Sequence, residues 1–113
     1  MHEVSVAQSI IDIAEANAHN QNASGIQKVK VRVGEFTTIV PEALEFAFEV
    51  ARRGTMAEHA VLEIEFVRLV TRCASCGEVS EPMQQICLHC SHCGRPLEIV
   101  AGEELQIDYI EIT

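Results

Sequence analysis

Cys73, Cys76, Cys90 and Cys93 are the residues whose type and spacing promise chemistry most clearly. They form two C-x-x-C pairs, each followed at once by a glycine (Gly77 and Gly94), with thirteen residues between the pairs. Two intervening residues let both sulfurs of a pair reach one ion from a tight turn, and two such turns supply a tetrahedral thiolate cage for zinc. The glycine tolerates positive φ without a Cβ clash, so the backbone can aim its amides at the sulfurs. Four protein ligands leave no open position for water or substrate. The cage therefore predicts a structural metal and places the protein's activity elsewhere.

Cys87-Leu88-His89-Cys90 is also a C-x-x-C, so Cys87 competes for the second knuckle. Ser91 follows Cys90 whereas Gly94 follows Cys93, which favours the set Cys73, Cys76, Cys90, Cys93 and leaves Cys87 spare. His89 and His92 read either as exposed loop histidines or as groups that exchange with a thiolate or donate to a sulfur.

A second metal-binding pattern is Met1-His2-Glu3. An α-amino group titrates at about 8, so a metal can compete with its proton near neutrality. The Met1 amine, the His2 amide nitrogen and the His2 imidazole can close adjacent chelate rings on one ion. Such a square-planar donor set suits Ni(II) or Cu(II) better than Zn(II). Glu3 could add a carboxylate or orient the site.

The elements that must position these groups follow from periodicity. Val6, Ile10, Ile13 and Ala14, widened by Ala7, Ile11 and Ala18, predict a helix over Val4 to His19. Lys28-Val29-Lys30-Val31-Arg32-Val33 alternates strictly and predicts a half-buried strand, its cationic face either solvated or a docking stripe for an acidic partner. Pro41 opens a second helix, with Leu44, Ala47, Phe48 and Ala51 inward and Phe46 and Val50 widening the stripe. A strand is expected from Ala60 to Val70, with Leu62, Ile64 and Phe66 inward. Leu97 to Val100 and a turn around Gly102 lead to a last strand, Leu105 to Ile112, whose alternation slips at Ile110, as at a bulge. Helices segregated on one face of a small sheet give an α+β two-layer sandwich. The expected division is 1–70 plus 97–113 as the α/β part, with 71–96 inserted as a zinc-binding lobe.

The chain has 113 residues, 48% hydrophobic and 22% charged, which suits one small domain with a sub-domain. No apolar run is long enough to span a membrane. The N-terminus lacks the pattern of a signal peptide, so a cytoplasmic location is expected, where thiols stay reduced and paired C-x-x-C reads as metal before disulfide. The formal net charge is -9, or about -11 once four thiolates hold one zinc. That charge disfavours a nucleic-acid backbone and either aids solubility or attracts a basic partner surface. Enzyme patterns are missing. His2-Glu3 does not continue to H-E-x-x-H because position 6 is Val6, and no zinc-deaminase pair, Walker loop or G-x-S-x-G occurs.

Met-His-Glu together with the cysteine quartet resembles the hydrogenase maturation factor HypA family. The likeness runs through MHEVSVAQSI, VRVGEF, PEALEFAFE, the quartet and the closing LQIDYIEI. The resemblance implies a nickel metallochaperone for [NiFe] hydrogenase maturation, not an enzyme. It implies two helices on a three-stranded mixed sheet with an inserted zinc ribbon. It also implies His2 as nickel ligand, with the Met1 amine and Glu3 as further candidates, and Cys73, Cys76, Cys90 and Cys93 as structural zinc ligands. The implied partners are the nickel-handling GTPase HypB and the hydrogenase large subunit, with homodimer formation left open. Where some relatives place an acidic side chain near position 40, this chain has Val40, with Glu42 two residues on. Cys87 is no part of the usual quartet. The alternative reading, a zinc-ribbon interaction module without nickel delivery, shares the quartet but gives no reason for His2.

Overall fold

The structure, a computed structural model, describes residues 3–81 and 87–113. Helix α1 (Glu3–Asn20) buries Val6, Ala7, Ile10, Ile11, Ala14 and Ala18. Ile13, expected inward, is 52% exposed. At about 100° per residue it lies at the margin of the stripe, whose centre runs through Ala7, Ala14 and Ala18. Strand β1 (Ile26–Gly34) follows, with Val29, Val31 and Val33 fully inside. A single 3-10 turn, Glu35–Thr37, leads into α2 (Pro41–Ala51), which buries Leu44, Ala47 and Phe48. Phe46 and Val50, expected to widen that face, are 70% and 49% exposed. They project away from the Leu44–Ala47–Phe48 row, and an eleven-residue helix on a small sheet has only one face to bury.

The segment predicted as one strand from Ala60 to Val70 is two: β2 (Val61–Val67) and β3 (Val70–Cys73). They belong to different sheets. β2 runs parallel to β1, so α2 is the crossover of a β-α-β unit and lands on the same face as α1. β6 (Leu105–Ile112) pairs antiparallel with β1 on the other side, giving a mixed sheet in the order β2-β1-β6. Leu62 and Ile64 pack against the core as expected, while Phe66, near the end of an edge strand, is 43% exposed. The slip expected in the last strand is present. Lys30 faces Tyr109 while Val31 faces Ile107, so Asp108 is the extra residue of a bulge. The bulge turns Ile107 and Ile110 toward the core and leaves Tyr109 outside.

The outer face of this sheet answers one open question. Lys28 contacts Glu63 at 2.5 Å, Lys30 lies 3.5 Å from Glu63 and 3.7 Å from Glu65, and Arg32 lies 3.3 Å from Glu65. Glu63 holds the Lys28 ammonium well above its ordinary range, and Lys28 in turn holds the Glu63 carboxyl low. The cationic stripe is therefore matched from within by β2, and each exposed pair contributes little to stability.

A second antiparallel sheet, β4-β3-β5, combines β3 with β4 (Val79–Ser80) and β5 (Leu97–Ala101). Two short passages join the sheets, Val67 to Val70 and Ala101 to Leu105. The second passage is locked to the end of β1 and the turn after it. Gly34 donates its N–H to the Glu104 carbonyl at 2.6 Å, and Phe36 donates to the Gly102 carbonyl at 2.8 Å. A Cβ on Gly34 would sit 2.0 Å from the Gly102 oxygen, and one on Gly102 would sit 2.6 Å from Leu69 Cα. Only glycines allow this approach.

Candidate metal centre

The two cysteine pairs sit on two tight turns of the same construction. At the first, Gly77 N–H donates to the Cys73 carbonyl at 2.7 Å, and Cys73 N–H donates to the Glu78 carbonyl at 2.9 Å. At the second, Gly94 N–H donates to the Cys90 carbonyl and Cys90 N–H to the Arg95 carbonyl, both at 2.8 Å. Gly77 and Gly94 have φ of 75° and 73°, the left-handed region that a Cβ disfavours. The two turns face each other at the end of the β4-β3-β5 sheet. All four sulfurs lie within 4.8 Å of one another. Cys73 to Cys93 is 3.5 Å and Cys76 to Cys90 is 3.6 Å. A zinc–sulfur bond of about 2.3 Å gives a tetrahedral edge of about 3.8 Å, so the sulfurs stand at cage spacing, whereas a disulfide would need about 2.05 Å.

Backbone amides prepare these sulfurs for a cation. The N–H of Cys76, helped by that of Ser75, holds the Cys73 thiol down to about 6. The N–H groups of Cys93 and His92 likewise lower Cys90. For Cys76, the Glu78 N–H favours the thiolate, but the Cys73 and Cys90 sulfurs outweigh it and push the thiol up to about 11. For Cys93, the Arg95 N–H is likewise outweighed by Cys73, and the thiol rises. One thiol of each knuckle ionises easily and the other resists, because four like charges cannot share so small a space. A divalent cation held by the four sulfurs would reverse the sign of that conflict and favour all four as thiolates.

Cys87 lies outside this cluster, with its Sγ against the His89 carbonyl at 3.4 Å. The His92 backbone N–H donates to Cys90 Sγ at 3.4 Å, but its imidazole Nε2 turns to Glu78 at 2.7 Å. His89 forms a backbone bridge with Pro96 and is exposed. The second donor set is only partly in view: His2 and Met1 lie outside the described residues. Glu3 opens α1, and its carboxylate accepts the Val40 N–H at 3.3 Å. The first turn of α1 is thus tied at Val40 to the loop before α2.

Glu35 was missed as a positioning residue. Its Oε1 accepts the Leu69 N–H at 2.7 Å and lies 3.6 Å from Arg68 Nε. It ties the 35–40 loop to the strand that climbs into the cysteine lobe. A glutamate after a strand-ending glycine gives no local cue to a partner thirty-four residues away.

The chain matches, over residues 1–112, the family model described as "Hydrogenase/urease nickel incorporation, metallochaperone, hypA". It is 38% identical to a hydrogenase maturation factor HypA from Geobacter sp. (strain M21), with 99% of each chain covered. It is 37% identical to one from Acidithiobacillus ferrooxidans, again over 99% of each. Among solved structures, its fold is similar to the solution structure of the nickel metallochaperone HypA from Helicobacter pylori. That match has a TM-score of 0.70 at 28% identity, covering 99% of this chain and 97% of the other. A second solution structure of a HypA protein aligns with a TM-score of 0.72, also at 28% identity, over 100% of this chain and 97% of that one.

Proposed function

The chain belongs to the HypA family, and on that premise we propose that it is a nickel metallochaperone. It binds Ni(II) at its N-terminus through His2 and passes it on during [NiFe] hydrogenase maturation. The Met1 amine and the His2 amide complete a nitrogen-rich set that favours nickel over zinc. Glu3 acts through its carboxylate, either on the metal or by fixing the first turn of α1 to Val40. The observation that carries the reading is the whole-chain family match, which includes Met1-His2-Glu3, joined to the Glu3–Val40 hydrogen bond at 3.3 Å. That bond ties Glu3, at the start of α1, to the loop before α2.

Zinc is the metal assigned to Cys73, Cys76, Cys90 and Cys93. The donor set is all thiolate, the sulfur spacings suit a zinc tetrahedron, and four ligands leave no site for chemistry. Zinc there folds and stiffens a small lobe. Cargo and scaffold metals are separated by ligand softness, so the delivery site can be weak while the cage stays closed. We assign 1–70 plus 97–113 to the nickel-carrying α/β part and 71–96 to the zinc insertion, with the β3–β5 ladder bridging the boundary between them. The protein acts in the cytoplasm as a carrier rather than an enzyme. Its partners are the nickel-handling GTPase HypB and the hydrogenase large subunit, and it can self-associate as a homodimer. No described helix is long and apolar enough to cross a membrane.

An N-terminal extension tests the site. Two glycines added before Met1 convert its amine to an amide. Nickel affinity, by competition with a chromophoric chelator, should fall at least tenfold while zinc content stays constant. Unchanged nickel affinity would remove the terminal donor set.

A further inference from the structure

Among the described residues β6 is an edge strand, because in the order β2-β1-β6 it pairs with β1 alone. A trough runs beside it under α1. One part, about 410 Å³, is lined by Ser5, Ser9, Ile10 and Ile13 on the helix and Leu105 and Ile107 on the strand. The next part, about 460 Å³, shares Ile13 and Ile107 and continues past Asn17 to Tyr109, Ile110 and Ile112. Ser5 and Ser9 keep the first part of the helix rim small, so an added backbone can come close there. Eight residues of open edge span about 26 Å, the length of one further strand.

The chemistry of the missing strand can be read from the other side of β6. There it is paired with β1, whose sequence is Lys28-Val29-Lys30-Val31-Arg32-Val33. The valines go to the core, Lys28 lies 5.5 Å over the Tyr109 ring, and it reaches Glu111 at 3.9 Å. Among the described residues, Asp108 on the bulge lines the trough, Glu111 keeps half its side chain exposed beside its 3.9 Å contact to Lys28, and no lysine or arginine lines either part. A second copy of this chain fits poorly. Pairing two β6 strands would bring Asp108 and Glu111 of both onto one ladder, and each copy carries a formal charge of -9. A cationic strand cancels those charges.

We propose that the open edge of β6 is a docking site for an extended segment of another protein that alternates apolar and basic residues. The segment adds a fourth strand by main-chain hydrogen bonds, with apolar side chains in the trough and cations over Asp108 and Glu111. It requires no metal and stands independently of the nickel site.

The probe is the acetylated and amidated peptide QKVKVRVG, taken from β1, titrated into the full chain. Hydrogen exchange should show several-fold slower exchange for amides within 105–112. Asp108→Lys, exposed and unable to disturb the core, should weaken binding at least tenfold. Ser9→Trp, which fills the trough from the helix side, should do the same. A peptide N-methylated at alternate residues, with its charges intact, should fail to bind. The proposal is overturned if β6 amides gain no protection, or if the methylated peptide binds equally well, which would leave bare charge attraction. It is also overturned if exchange quickens in β1, meaning strand replacement. Concentration-dependent protection of β6 without peptide would make a second copy the occupant and overturn it too.

Discussion

Replacing Gly34 by alanine should destabilise the molecule by ~2–4 kcal/mol without removing its zinc. The added Cβ would stand 2.0 Å from the Gly102 carbonyl oxygen and 2.7 Å from the Glu103 nitrogen. Carbon and oxygen approach no closer than about 3.3 Å, so the end of β1 and the 101–105 passage must part by about 1.3 Å. That stretches the 2.6 Å Gly34–Glu104 and 2.8 Å Phe36–Gly102 hydrogen bonds beyond bonding range. Each bond is worth about 1 kcal/mol net, and burial of the freed Gly34 N–H adds a desolvation cost, which gives the stated range. The neighbours are backbone, so no side chain can swing aside. Gly25→Ala is the control: its Cβ would meet the Thr113 hydroxyl at 3.2 Å and the Met56 carbonyl at 3.9 Å, and the hydroxyl can rotate. Urea unfolding of zinc-loaded protein, followed by the single tyrosine, Tyr109 on β6, reads the main sheet directly. A loss for Gly34→Ala within 0.5 kcal/mol of that for Gly25→Ala would refute the close-approach reasoning.

Other outcomes follow from the same geometry. Cys93→Ala should lose bound zinc by elemental analysis, whereas Cys87→Ala should retain it. Zinc loading near pH 7.5 should release fewer than four protons, since the Cys73 thiol, at about 6, is already largely ionised and the Cys90 thiol is lowered. Calorimetry in buffers of different ionisation enthalpy counts them. In the metal-free chain, the lowered Cys73 value contributes stability that is present above its ordinary 9.0 and is lost as pH falls through about 6. The raised Cys76 value contributes stability that is present below 9.0 and is lost as pH rises through about 11. Thiolate absorbance should accordingly rise in separate steps. Glu3→Ala should speed hydrogen exchange at the Val40 amide and lower nickel affinity several-fold, while leaving zinc content unchanged.

The sequence spoke clearly wherever a signal is local. Strict alternation marked β1, proline marked the start of α2, and two glycines after two C-x-x-C pairs singled out the sulfurs that converge. The slip near Ile110 is a bulge at Asp108, because alternation on one strand records its own register. What the sequence hid is long-range. The Ala60–Val70 run reads as one strand, since nothing in Arg68-Leu69 announces that its two ends join different sheets. Phe46 and Ile13 are apolar and helical in spacing, yet burial depends on the packing opposite, and both stay exposed. The Gly34–Gly102 approach and the Glu35–Leu69 hydrogen bond join residues far apart in the chain. Each looks ordinary until the fold brings its partner to it.

Nickel titration of the untagged, zinc-loaded protein against His2→Ala tests the central claim most directly. Wild type should bind Ni(II) with the visible spectrum of a planar nitrogen site. His2→Ala should lose that spectrum and at least tenfold in affinity, with zinc content unchanged. Equal nickel stoichiometry, affinity and spectrum in both proteins would contradict the account.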